Sequence, residues 1–129
     1  PEAVYRGGLD LYEASGLVYN RAAVSLSLPL IYAMDGLSKS VFNTLHAGGL
    51  LLAARQEPLA ALFQEGEQYL GFTDPAEVRE KIDWVLAHPE ERQRIAKAGH
   101  EAVLRAHQPV HRLARILDRV GLARSTVQA

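Results

Sequence analysis

The sequence predicts an α/β fold: a small parallel sheet with helices on both faces and a helical C-terminus. Two observations carry the prediction. In the first half of the chain, short apolar stretches of strand character alternate with helical stretches, the pattern of βα units whose strands run parallel. One of those stretches, Leu50-Leu51-Leu52-Ala53, is apolar without alternation, as a strand covered on both faces requires.

Taken in order, Asp10 to Asn20 carries Leu11, Tyr12, Val18 and Tyr19 and reads as a helix weakened by Gly16. Val24, Leu26, Leu28 and Leu30 alternate with Ser25, Ser27 and Pro29, a period of two that predicts a strand ending near the proline. A helix starting near Ser38 runs to Gly48-Gly49, which end it and let the chain turn into the strand at Leu50. Pro58 to Phe63 is a short helix, and Tyr69-Leu70-Gly71-Phe72 is the third strand. Val4-Tyr5-Arg6 is a candidate fourth strand. Asp74-Pro75-Ala76-Glu77 places a capping side chain, a first-turn proline and an acid in the order that starts a helix. His88-Pro89-Glu90-Glu91 repeats the signal. Pro109 ends that second helix or opens a third. The expected buried set of this helical cover is Ile82, Val85, Ile95, Val103, Leu113 and Leu117, and the tail after Gly121 is expected to fray.

At 129 residues the chain holds a single domain, 1–129. Three or four strands make a small sheet, however, and the chain opens at Pro1-Glu2-Ala3-Val4 without a Met. Both fit a part of a larger Rossmann-like domain cut from a longer chain. With 48% hydrophobic and 22% charged residues the composition is globular, and no apolar run is long enough to span a bilayer. The 14 basic and 15 acidic residues do not mark the chain for nucleic acid. No cysteine is present, which rules out disulfides and thiolate zinc sites and fits a reducing, cytoplasmic location.

Further along, Phe42-Asn43-Thr44-Leu45-His46-Ala47-Gly48-Gly49 leads into the Leu run. Leu59-x-x-Leu62-Phe63-x-x-Gly66-x-x-x-Leu70-x-Phe72 follows, then the Asp-Pro and His-Pro-Glu-Glu-Arg helices and a late His107-x-x-x-His111-Arg112. In this order and spacing the pieces resemble the C-terminal domain of GT-B glycosyltransferases, and among them the bacterial group related to spore-maturation glycosyltransferases. The similarity covers about residues 10 to 117. The resemblance implies a Rossmann-like three-layer domain that binds a nucleotide-sugar donor and works with an N-terminal Rossmann-like domain of the same chain. It implies neither metal nor cofactor, because basic side chains and helix dipoles stabilise the departing diphosphate.

The family holds its donor with an acidic residue before the helix and a Glu within it, eight residues apart; Asp35 and Asn43 stand at those positions here. An asparagine is neutral and offers one acceptor oxygen to a ribose hydroxyl. Where the family has an Arg, this chain has Ser40, with Lys39 beside it. The expected donor-binding set is Asp35, Gly36, Ser38, Lys39 and Asn43, at the carboxyl edge of the sheet where open α/β folds bind ligands. No catalytic residue is expected in this part of the chain, so it alone should not turn over. A non-catalytic interaction domain of the same fold is the alternative. A receiver-like regulatory domain would need acids clustered at the end of the first strand, and none stand there.

Other signals have plainer readings. Gly48-Gly49 matches neither a Walker pattern nor G-x-G-x-x-G, so a capping role outweighs a phosphate cradle. His107 and His111 have the spacing of a zinc helix, but Pro109 lies between them and no third ligand signal accompanies them; packing of the last helix is their expected work. Arg105, Arg112, Arg115, Arg119 and Arg124 read as a solvated or domain-docking face. Trp84 falls off the apolar stripe of its helix and is either a partly buried surface residue or the mark of an interface.

Overall fold

The computed structural model describes residues 15–29 and 36–122. The candidate strand at Val4-Tyr5-Arg6, the start of the first helix, Leu30, Asp35, Arg124 and the end of the tail lie outside the described residues. Within them the order is α1 (Ser15–Arg21), β1 (Ser25–Ser27), α2 (Lys39–His46), β2 (Leu51–Ala54), α3 (Glu57–Leu62), β3 (Leu70–Phe72), α4 (Pro75–Ala87), α5 (Pro89–Ala106) and α6 (Pro109–Arg119). The strands form one parallel sheet in the order β1-β2-β3, with Ser25 opposite Leu51 and Leu52 opposite Leu70.

β2 is central and alternates faces as a pleated strand must. Leu51 and Ala53 join Val41 and Leu45 of α2, with Ala102 and Val103 of α5, in one core. Leu50 and Leu52 join Val85 of α4 and Ile95 of α5 in the other. The protein is therefore a three-layer α/β structure of Rossmann-like character, and α5 contributes to both layers. Gly99 sits where α5 passes from one to the other, packed against the Gln68 carbonyl oxygen and the Leu45 side chain, an approach that leaves no room for a β-carbon.

Local chemistry sets the helix ends. Asp74 caps α4 by accepting from the Glu77 amide at 2.9 Å, with Pro75 in the first turn. At the other end of α2, Gly48 adopts φ 78, its amide donates to Leu45 at 3.1 Å and the Gly49 amide to Thr44 at 3.0 Å. This is the paired pattern of a Schellman cap. Gly49 then lies against the Tyr19 carbonyl of α1, where a side chain would collide. The two glycines thus end the helix and admit α1.

Two expectations about burial need correction. Pro109 opens α6, but none of that helix's residues is buried. Leu113, expected in the core, is 53% exposed, and Val110, Ile116 and Val120 are also exposed; Leu117 is only half-buried. The apolar stripe is real, but among the described residues nothing covers it. Ile82 is likewise half-buried, at the margin of the second core, whereas Val85, Ile95 and Val103 are buried as expected. In β1 the alternation holds with the leucines outward: Leu26 and Leu28 are exposed, and Ser27 is turned inward toward α2.

Candidate functional site

The inward turn of Ser27 positions the site. Its hydroxyl lies 2.9 Å from that of Ser40, which donates to the Ser38 hydroxyl at 3.0 Å. Ser38 is the N-cap of α2 and accepts from the Ser40 amide at 3.3 Å. This chain of hydroxyls ties the first turn of α2 to the last residue of β1, so the helix begins at the carboxyl edge of the sheet.

From there the helical period divides α2 into two stripes. Val41, Thr44 and Leu45 are buried in the core. Lys39, Phe42, Asn43 and His46, spaced three and four apart, form the opposite stripe and one wall of a cleft of about 320 Å³. The other wall comes from the end of α5 and the start of α6, with Val103, His107, Pro109 and Arg112. Two bonds hold the turn between those helices: the His111 amide donates to the Gln108 carbonyl oxygen at 3.0 Å, and the His111 ring accepts from the Gln108 amide at 3.1 Å. That turn brings Arg112 over α2, with its guanidinium carbon 4.7 Å from the Phe42 ring centroid, a cation–π arrangement. His107 packs its ring 4.9 Å from that of Phe63. Burial, then the nearby Arg115, Arg112 and His111, push its pKa below the usual histidine value.

Lys39 and Arg112 give this cleft two cations, and no carboxylate is among its described lining residues. Asn43 adds an amide and Phe42 an apolar ring. Such a surface suits an anionic ligand with a flat or apolar portion. Among its described lining residues no nucleophile–base pair is present.

Of the residues expected from the sequence, Lys39 and Asn43 are brought together, one turn apart. Ser38 is engaged in the cap and borders a small hollow with Pro29, Ala54 and Gln56 rather than the cleft. Gly36 is exposed and does not line the cleft, and Asp35 lies outside the described residues. The sequence reading missed Phe42, His46, His107 and Arg112 as cleft residues. The three-and-four spacing of the α2 stripe was a usable signal for the first two. Among the described residues no group of three His, Cys, Asp or Glu could hold a metal, and His107 and His111 are occupied by ring packing and capping. No helix among the described residues is long and apolar enough to cross a membrane.

A second polar cluster stands at the ends of β2 and β3. Arg55 bonds both oxygens of Glu65, both oxygens of Glu77 at 2.6 and 2.8 Å, and the Thr73 hydroxyl at 2.9 Å. These bonds, Glu77 first, raise its already high pKa. All five N–H groups of the guanidinium are engaged, so Arg55 clamps the strand ends and has none left for a ligand.

No match is found among curated proteins. A family model described as glycosyl transferase-like matches residues 4–118, nearly the whole chain. The protein belongs to the glycosyl transferase-like family.

Proposed function

We propose that the chain is the donor-binding domain of a GT-B glycosyltransferase of the bacterial group related to spore-maturation glycosyltransferases, moving a sugar from a nucleoside diphosphate to an acceptor. The observation that carries the reading is the cleft on the outer stripe of α2, where Lys39, Asn43 and Arg112 converge beside Phe42. Lys39 and Arg112 would neutralise the diphosphate, and their fixed positive charge would stabilise the departing nucleoside diphosphate without a metal. Asn43 would accept from a ribose hydroxyl through its one amide oxygen.

The acceptor site and any catalytic base belong, in this reading, to an N-terminal Rossmann-like half. The exposed stripe of α6 and the outward leucines of β1 support such a partner, since a second domain would cover them. Because the cleft has only this domain's contacts, affinity should be weak, with a dissociation constant near 1 mM, about −4 kcal/mol. Calorimetric titration with UDP and GDP tests it. Binding of either at that level, weakened in Lys39→Ala, supports the donor site. The neutral Asn43 favours one other reading, a non-catalytic interaction domain of the same fold, and no heat with either nucleotide at millimolar concentration would put that reading ahead.

A further inference from the structure

On the opposite face of the sheet, α4, the start of α5 and the loop before β3 enclose a second pocket, of about 310 Å³. Its apolar part comes from Leu70 and Ile95, which belong to the second core, and from Trp84, the only tryptophan of the chain. Trp84 is held in place: it packs against that core, His88 stacks on its ring at 4.8 Å and 20°, and the His88 ring lies 2.8 Å from the Trp84 carbonyl oxygen. Around it stand Glu80, Lys81, Glu91 and Arg94, two carboxylates and two cations whose charges balance. Arg94 is fixed by bonds of 2.9 Å to both Glu91 and Glu67.

We infer that this pocket is a binding site for a neutral oligosaccharide. A pyranose presents two kinds of surface, a C–H face that is apolar and slightly positive and a rim of hydroxyls that both donate and accept. An indole answers the first, because its π system is electron-rich and its area large. Planar carboxylates and a guanidinium answer the second, since each can engage adjacent hydroxyls, and here Arg94 and Glu91 already hold one another in place. With Glu67 also on Arg94, the cluster carries no net positive charge, which sets this pocket apart from the cationic α2 cleft and selects against phosphorylated ligands. Its volume is at the small end of ligand sites, about 300–1,000 Å³, and suits one or two sugar rings. A polysaccharide or glycoconjugate could thus be held on this face while the α2 cleft is occupied by something else.

Because Trp84 is the sole tryptophan, its fluorescence reports on this pocket alone. The chain is titrated with cellotriose, maltotriose and chitotriose to about 50 mM, far above a millimolar dissociation constant, and in parallel with UDP. At least one trisaccharide should give a saturable change in Trp84 emission, and UDP none. Arg94→Ala and Glu80→Gln should each weaken that saccharide about fivefold, the loss of one hydrogen-bonding group. Both residues are exposed, so the core and the reporter stay in place. Silence with all three saccharides, an unchanged affinity in both variants, or the same emission change with UDP would overturn the assignment.

Discussion

Gly99→Ala sets two well-known effects against each other, and the structure decides the sign. Gly99 lies inside α5, where alanine is normally worth up to about 1 kcal/mol over glycine through helix propensity. An added β-carbon, however, would stand 2.8 Å from Leu45 Cδ2 and closer still to the Gln68 carbonyl oxygen. Leu45 is fully buried and the other neighbour is backbone, so neither can step aside cheaply. Overpacking of this kind costs about 1–3 kcal/mol, which exceeds the propensity gain over most of its range. A net loss of about 1 kcal/mol follows, a fall in melting temperature of about 3–6 °C for a domain of this size. Gly16→Ala in α1 is the control, because nothing lies within 4 Å of its added β-carbon and only the propensity gain remains. Urea and thermal unfolding of both variants measure the two values. If Gly99→Ala equals or exceeds the parent while Gly16→Ala shows the usual gain, α5 does not approach Gln68 and Leu45 as described.

The unequal burial of the C-terminal helices predicts unequal costs. Ile95→Ala should lose about 2–5 kcal/mol from a residue only 1% exposed, whereas Leu113→Ala, at 53% exposed, should stay within about 0.5 kcal/mol of the parent in urea unfolding; similar losses would mean that α6 is packed after all. The Arg55 clamp predicts an acid dependence. Hydrogen bonds from Arg55, then from the Thr73 amide, hold the Glu77 carboxyl below its usual 4.5, so its contribution is whole above that value and is lost as the pH falls through the lower folded value. Between pH 6 and pH 3, unfolding midpoints of Glu77→Gln should fall less steeply than those of the parent, and parallel curves would remove Glu77 from the clamp's pH response.

How much of this was legible in the sequence depends on the range of the interactions. The starts of α4 and α5 could be read because Asp74 caps an amide of its own turn, and Pro75 and Pro89 each fix the backbone of a first helical turn. The β2 strand could be read because a central strand needs apolar residues on both faces, and Leu50 to Ala53 supply them. Leu113 was misplaced because periodicity shows that a helix is two-sided and does not show what meets its apolar side. The site divided along the same line. Lys39 and Asn43, expected from the resemblance, stand on one helix, whereas Arg112 reaches Phe42 across 70 positions of sequence, through a turn held by Gln108 and His111. Arg55 passed unnoticed for a related reason, since its partners Glu65 and Glu77 come from separate elements.

The central claim, that the outer stripe of α2 and the start of α6 form a nucleoside diphosphate site, is tested most directly by mapping amide shifts on the isolated chain during titration with UDP and GDP. Perturbations should concentrate at 39–46 and 103–112, with Lys39→Ala weakening the response and Asn43→Glu strengthening it, because a carboxylate can accept from both ribose hydroxyls. Shifts confined to residues outside those two segments, or none at millimolar nucleotide, would contradict it.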